Sequence, residues 1–461
     1  MSGRHEFQKH QRRALAYARV RDRIALFMEM RLGKSPVSIR WAKNDRRVLL
    51  VAPLSTLLGQ LNWHGELVRE GITPVMLPNV RRQDRERILR PASIRGGRFT
   101  RRWATGWFGV NFEALRTQPE ILDAPWSAII VDESTRIRSP RAQVTKLLLA
   151  RASHIPRRAI LSGLPNPETP MDYFCQFKFL AGEFMGFDNF WAFKQSLFRQ
   201  TYPQWNWQPK SGVRQRIKEA VHERAFVLTR KQAGVGSDKV REQRSVPLNA
   251  AQKRAIKEIK KDYAIDGTET KWAPVAHLWQ QRLAGGFHPV TKELLSDAKV
   301  RLAEELVMDE FRRQSIVMWF RFNHEIDFFY KWMKKRNRKL KVERVHGNVK
   351  DSKQIRGPVQ DRFQDGFTRL VLLQIKLGKF GWNLSKASTA VYYSNSYEFE
   401  DRSQSEDRII HITKRDPCLY VDLVTVGTPD EAVVDALSDK RITARQFNSK
   451  MHKASLILPH L

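Results

Sequence analysis

Two groups of residues in this sequence have the types and spacing for one chemistry. The first is Gly33-Lys34-Ser35, which ends the stretch Leu26-Phe-Met-Glu-Met-Arg-Leu-Gly-Lys-Ser35. A glycine there lets backbone N–H groups turn towards an anion, a lysine reaches along a phosphate chain, and a hydroxyl takes a place on magnesium. A helix beginning at this point directs its positive end at the same anion. The strict phosphate-loop pattern opens with glycine, and Met28 stands in that place, so the tripeptide alone describes a turn as well as a nucleotide site. The second group is Asp132-Glu133, which closes the apolar run Ala128-Ile-Ile-Val131. One carboxylate of such a pair holds magnesium, usually through water, and the next orients an attacking water. By itself the pair also describes solvated acids capping a strand. In this order along the chain, the two groups together point to a site for a magnesium–nucleoside triphosphate more than either does alone.

These residues need an open, mostly parallel sheet to position them, because ligands of such sheets sit at the C-terminal ends of the strands. Val48–Ala52, Gly109–Asn111, Ala128–Val131 and Ala159–Leu161 are expected strands. A second set follows at Ser315–Phe320, Leu370–Leu373, Ala390–Tyr393 and Leu419–Val424. Runs that are apolar on both faces and alternate with helical patterns predict parallel sheets covered on two sides. Two sets predict two α/β lobes, residues 1–232 and 233–461, with a helical insertion at about 181–225 in the first. The segment Gln232-Ala-Gly-Val-Gly-Ser-Asp238 reads as a hinge or linker between them.

Composition supplies the partner. The 461 residues hold 82 Lys+Arg against 48 Asp+Glu, a formal net charge of +34. Solubility needs far less, so the surplus points to a polyanion, with nucleic acid first. No run of 18 apolar residues is present to span a bilayer. The basic start MSGRHEFQKHQRR lacks the apolar core of a signal peptide. Cys175 and Cys418 are the only cysteines, which argues against a disulfide framework or a zinc site of paired cysteines. Together these features predict a cytoplasmic protein without a membrane partner. Basic stretches at Arg81–Arg102 and Lys331–Arg344 read either as solvated faces or as phosphate contacts. Trp103, Trp107, Trp191, Trp205 and Trp207 lie near basic residues, and packing is the better expectation for most of them. The same holds for Phe184 to Phe193.

With these motifs in place, the chain resembles the superfamily 2 helicases, specifically the Swi/Snf-like branch in its compact phage or prokaryotic form. Met28-Glu-Met-Arg-Leu-Gly-Lys-Ser35 is similar to the first motif, D-E-M-G-L-G-K-T, and Val131-Asp-Glu-Ser-Thr-Arg-Ile-Arg138 to D-E-A-H-R-I-K. Phe7-Gln-Lys-His-Gln11 resembles the upstream glutamine element, Val51-Ala-Pro-Leu-Ser55 with Asn62-Trp63 and Glu66 the next motif, and Leu161-Ser-Gly-Leu-Pro-Asn166 the motif L-T-G-T-P-x-x-N. Arg230-Lys231 resembles the R-x-K element that closes the first lobe. In the second lobe Val317-Met-Trp-Phe320 and Val345-His-Gly347 resemble the opening motifs. Gln374-Ile-Lys-Leu-Gly-Lys-Phe-Gly-Trp-Asn-Leu384 is similar to S-T-K-A-G-G-x-G-L-N-L, Gln404-Ser-Glu-Asp-Arg408 to the start of Q-A-x-D-R-x-H-R-x-G-Q, and Asp422–Glu431 to D-L-V-x-x-G-T-x-E-E.

The resemblance implies two RecA-like lobes with ATP in the cleft between them, and an ATP-dependent translocase acting on duplex or branched DNA. RNA unwinding, or a DNA-binding scaffold with attenuated hydrolysis, are the alternatives. It implies that Glu133, Arg408 and Lys34 are catalytic and that Ser35 and Asp132 hold magnesium. ATP contacts fall to Gln11, Arg31, Leu32, Gly33, Lys34, Ser35, Gly381, Gln404 and Arg408. Nucleic-acid contacts fall to Pro53, Asn111, Ser162, Gly163, His346, Gly347, Lys376 and Lys379. Three positions depart from the family. Arg31 replaces a glycine, Lys379 replaces the second glycine of a pair, and His411 stands where a second arginine belongs. Histidine is mostly neutral at neutral pH and arginine always charged. Hydrolysis then relies on Arg408 alone, runs slowly, or borrows Lys414 or Arg415.

Overall fold

A computed structural model describes residues 6–58, 62–81, 83–85, 105–166, 168–201, 206–270, 272–347, 352–379, 381–411 and 413–449. Most of the first basic stretch (Arg82, Arg87, Arg90 and Arg95–Arg102), with Trp103 and Trp205, lies outside them, as does the Lys379 side chain. The chain forms two compact units, one built on Met1–Gly234 and one on Val235–Ile442.

In the first unit the strands are β1 (Arg23–Met28), β2 (Arg47–Val51), β3 (Val75–Met76), β4 (Gly106–Val110), β5 (Ala128–Asp132), β6 (Arg157–Ser162) and β9 (Ala225–Leu228), with a separate antiparallel hairpin of β7 (Phe198–Thr201) and β8 (Asn206–Pro209). The seven-stranded sheet runs β3-β4-β2-β5-β6-β1-β9, and every pairing is parallel. The centre consists of β2, β5, β6 and β1, apolar on both faces, so helices must cover both. Two helices frame the site. These are α1 (Lys9–Arg19), started by a Gln8/Gln11 capping box, and α2 (Lys34–Trp41). Between β6 and β9 the helix Tyr173–Ala181 buries its aromatic side chains, and Phe174, Phe177, Phe184 and Phe193 interlock with ring centroids 4.9–5.8 Å apart. The phenylalanines of this insertion are thus packing residues, as expected from the sequence.

The second unit contains a six-stranded, all-parallel sheet ordered β10-β17-β16-β13-β15-β14. Its strands are β10 (Lys239–Val246), β13 (Ile316–Phe320), β14 (Val342–Val345), β15 (Leu370–Gln374), β16 (Thr389–Tyr392) and β17 (Cys418–Thr425). A short hairpin, β11 (Ala264–Ile265) with β12 (Thr268–Glu269), packs with its own small apolar cluster around Ile259 and Leu283. The eight expected strands therefore all form, within one or two residues at their ends except β4, which starts three residues before the expected Gly109, and both units have the RecA-like plan of a parallel sheet flanked by helices. The strands not anticipated are β1, β3, β9, β10 and β14 in the two large sheets, and the two hairpins β7–β8 and β11–β12.

One buried acid sets a pH dependence in this unit. Glu325 is buried, and accepts a hydrogen bond from Ser394 Oγ. Burial pushes its carboxyl up to about 7, against the pull of Ser394 and Lys299. The folded form therefore holds this proton more tightly than the unfolded chain does. Its contribution to stability is complete below the unfolded value near 4.5 and is lost as pH rises through about 7, a change of up to about 3 kcal/mol. Glu325→Gln keeps an acceptor for Ser394 without a charge. It is expected to flatten denaturant midpoints between pH 5 and 8, and an equally steep profile in the variant contradicts this assignment.

Candidate nucleotide site and second-unit polar core

The parallel order brings the C-terminal ends of β1, β6 and β5 side by side, pairing Phe27 with Ser162 and Leu161 with Asp132. The chain leaves β1 at Met28 and turns into α2 through Gly33, whose φ is +81°. A Cβ on Gly33 would stand 2.0 Å from Gln11 Nε2, so glycine is needed both for the backbone and for the approach of this amide. Gln11 Oε1 accepts the Gln8 backbone N–H at 2.9 Å, which fixes the amide and aims its NH2 at the loop. His10 closes the other side, its Nε2 3.1 Å from the Leu32 carbonyl, and Leu32 is fully buried. Lys34 Nζ donates to the Met28 carbonyl at 2.7 Å. Gly163, at the end of β6, lies so near that a Cβ there would stand 3.5 Å from the same ammonium.

Arg31 has φ +66°, in the left-handed region. The glycine that the resembled motif carries at this place thus has a backbone reason, and this chain meets the same geometry with a residue that pays for it in strain. Such a conformation costs roughly 1 kcal/mol or more in an L-residue with a side chain. Arg31→Gly is expected to raise the unfolding free energy of the first unit by about 1 kcal/mol, less the extra chain entropy of glycine. A lowered urea midpoint in that variant would show that contacts of the arginine side chain outweigh the strain.

At the end of β5, Asp132 is buried and both its oxygens accept hydrogen bonds. Trp63 Nε1 donates to Oδ2 at 2.7 Å and the Glu133 backbone N–H donates to Oδ1 at 3.0 Å. Burial raises its pKa, while Trp63 and the Lys34 charge pull it back down. Glu133 is half-buried with φ +50°, so the acid pair turns sharply out of the strand. Each Asp132 oxygen keeps a second lone pair. The donor set of Ser35 hydroxyl and Asp132 carboxylate thus fits a hard cation that takes its remaining ligands from water and phosphate. Among the described residues there is no cluster of three or more His, Cys, Asp or Glu that would cage a metal alone.

Trp63 as the partner of Asp132 was not expected. The resemblance placed it only in the motif that runs from Val51 to Glu66, and an indole N–H that needs an acceptor when buried was the available signal. The residues replacing the family Ala-His also have an observed place. Ser134 Oγ donates to Gln176 Oε1 at 2.7 Å, and Gln176 Nε2 donates to the Pro165 and Asp172 carbonyls, both at 2.7 Å. The acid-pair turn is thereby tied to the Leu161–Asn166 loop through one fully buried amide. Asp172 accepts from the Glu168 and Thr169 N–H groups, and burial pushes its carboxyl up to about 6. Glu29, beside the phosphate loop, accepts from the Arg230 backbone N–H at 3.1 Å and pairs with its guanidinium at 3.3 Å.

Pro53 and Asn111 follow β2 and β4, Ser162 ends β6 and Gly163 follows it, so all four stand on the same sheet edge. Asn111 Nδ2 bonds Glu113 at 2.9 Å, and Ser162 Oγ accepts the Leu164 N–H at 3.1 Å.

In the second unit, His346 and Gly347 follow β14, and Lys376 follows β15. His346 is buried with Nε2 3.0 Å from Asp327, whereas Gly347 and Lys376 are exposed. Arg408 Nε donates to the Gly378 carbonyl at 2.6 Å. Gly378 in turn lies against the helix Phe399–Glu406, where a Cβ would stand 2.9 Å from Ser405 Cβ, so a side chain at 378 would push Arg408's support away. Gln404, on that helix, is buried with Nε2 3.3 Å from Glu400, and Gly381 has φ +35°. His411 Nδ1 accepts the Thr413 N–H at 3.3 Å and lies 2.7 Å from its hydroxyl, so the ring closes a local turn. Lys414, one of the two cations named as substitutes for a second arginine, donates from Nζ to the Ser385 and Ala387 carbonyls.

Arg402 was overlooked in the sequence, where it reads as a surface residue in a charged helix. It is fully buried. Its guanidinium lies 3.5 Å from the centroid of Tyr392, grips Asp422 with two nitrogens, and donates to Glu406 at 3.0 Å and Asn395 at 2.9 Å. Lys239 and Arg241 on β10 also pair with Glu406, and these cations hold its carboxyl well below the usual range. Breaking one side of such a buried network costs about 3–5 kcal/mol, so it locks the helix that leads to Arg408 onto β16 and β17.

Residues 298–413 match the helicase conserved C-terminal domain. This match covers the second unit's β13–β16 and Arg408, about a quarter of the chain. No curated protein matches the chain. Among solved structures, the chain is similar to the Sulfolobus solfataricus SWI2/SNF2 ATPase core in complex with dsDNA, with 16% identity, a TM-score of 0.44, and coverage of 98% of this chain and 94% of that one.

Proposed function

We propose that this protein is an ATP-driven DNA translocase of the Swi/Snf-like type, with lobes divided near residues 232–233. The observation that carries this reading is the convergence at one sheet edge of Lys34, Gly163 and the Asp132-Glu133 turn, with Gln11 seated against Gly33. The helicase domain match and the net charge of +34 support it. Bound magnesium supplies charge neutralisation at the phosphates and fixes their geometry. Ser35 and Asp132 would hold the ion, Lys34 would leave the Met28 carbonyl for the β- and γ-phosphates, and Gln11 would read the adenine. Glu133 orients the attacking water and takes its proton, and Arg408 meets charge that develops on the transferred phosphoryl group.

The ties from Ser134 through Gln176 to Pro165 give the acid pair a rigid route to the Leu161–Asn166 loop. Ser162 and Gly163 in that loop, with Pro53 and Asn111, are the proposed contacts of the first lobe with the DNA backbone. His346, Gly347, Lys376 and Lys379 serve the second. Among the described residues no helix is long and apolar enough to cross a membrane.

The test is displacement of a third strand from a DNA triplex. A translocase removes it with ATP while leaving the duplex paired, and the Lys34→Ala variant does not. Separation of the duplex strands themselves, or turnover raised by RNA alone, would replace this reading with that of an unwinding helicase.

A further inference from the structure

Away from the nucleotide site, the first unit has an open groove of about 410 Å³ lined by Pro140, Arg141, Phe190, Trp191, Lys194 and Trp207. Trp191 is 46% exposed, whereas Trp41, Trp63, Trp107 and Trp126 of the same unit are buried. Its place is fixed, because Asn189 caps the helix Phe190–Leu197 by accepting from the Trp191 and Ala192 N–H groups at 2.8 and 3.2 Å, and Phe190 packs edge-on against the indole. Two cations share this aromatic surface. Lys194 Nζ is 4.0 Å from the Trp207 centroid and 5.4 Å from that of Trp191, and Arg141 Cζ is 5.5 Å from that of Trp191. Among the described residues no carboxylate pairs with either one. Burial and the neighbouring Arg141 charge lower the Lys194 pKa, as expected of cations held together without an anion.

An exposed indole with two converging cations matches the two parts of a nucleotide, a π-face and a phosphate. A paired base has both its faces covered by its neighbours in the duplex, so an indole face is open only to a base outside the stack. We infer that this groove binds one unpaired nucleotide of a DNA strand, its base stacked on Trp191 and its phosphate held by Arg141 and Lys194. This rests on the reading of the protein as one that acts on DNA, and makes the first unit a sensor of single-stranded tails or extruded bases beside the duplex. Arg141 lies only a few residues beyond Arg138, the end of the acid-pair element, so an occupied groove is connected by a short stretch of chain to the Asp132-Glu133 turn.

The experiment is fluorescence anisotropy of the full chain with a blunt duplex and with the same duplex carrying an oligo-dT tail, at one fixed salt concentration. The tailed DNA is expected to bind about tenfold tighter, the scale of one base stacked on an aromatic side chain. Trp191→Ala, and separately the Arg141→Ala/Lys194→Ala pair, are expected to erase that preference, with blunt-duplex binding and ATP turnover on blunt duplex close to wild type, and Trp191→Phe to keep most of it. Wild-type protein without a tail preference, or a preference retained in both groove variants, overturns the inference. A poly-glutamate peptide that competes with the tail only while Trp191 is present also overturns it, and assigns the groove to an acidic protein partner. Failure of the motor reading has a different signature, which is no turnover on any polymer with the tail preference intact.

Discussion

Arg408→Ala is expected to lower DNA-stimulated ATP turnover by about 10³–10⁵-fold while leaving nucleotide affinity within a few-fold, because an arginine finger acts mainly on charge that develops in the transition state. In that proposed role, the orientation of its side chain within the second unit matters. The hydrogen bond from Nε to the Gly378 carbonyl engages one of five guanidinium donors and sets the direction of the fork. Gly378 is pressed on Ser405, and the helix bearing Ser405 is locked by the buried Arg402–Asp422–Glu406 network. Arg408→Lys is expected to recover little, since an ammonium has no fork and does not replace the Nε contact. The neighbouring His411 closes a turn through Thr413, and His411→Arg is expected to raise turnover if the family's second arginine is what this chain lacks. Single-turnover rates within tenfold of wild type for Arg408→Ala would remove the finger role.

Glu133→Gln has the second large effect, a loss of about 10²–10⁴-fold in turnover with ATP still bound. The substitution keeps the size and the left-handed turn at φ +50° and removes only the ability to take a proton. The Glu133 backbone N–H still reaches Asp132 Oδ1, so the carboxylate proposed to hold magnesium stays in place. Equilibrium binding of a fluorescent nucleotide alongside steady-state turnover separates the two. Lost binding would indicate that Glu133 shapes the site, and full turnover that another group activates water.

The parts of the fold legible in the sequence were those whose physics is local. β2, β5, β6, β13, β15, β16 and β17 are short apolar runs buried on both faces, which periodicity finds directly. β10 escaped because KVREQRSV is charged and half exposed, and it is a strand only because β17 pairs with all eight of its residues. β1 escaped because Arg23 and the basic helix before it masked a run that is buried from Ile24 to Met28. At the site, Gly33, Lys34, Asp132 and Glu133 were legible because their spacing follows from chemistry. Trp63, Gln176 and Arg402 were not, because each acts through a partner 20 to 69 residues away that only folding brings into reach. The strain at Arg31 lay between these cases. A glycine was missing from the motif, and only the backbone showed what that glycine is for.

The most direct test of the phosphate grip and acid pair as a DNA-driven engine is steady-state ATP turnover with and without blunt duplex DNA, for the wild type and Lys34→Ala. Duplex is expected to raise wild-type turnover at least about tenfold and to leave Lys34→Ala at background, since that ammonium is the group proposed to reach the β- and γ-phosphates. Wild-type turnover that is the same with and without duplex DNA, and no higher than that of Lys34→Ala, would contradict the account.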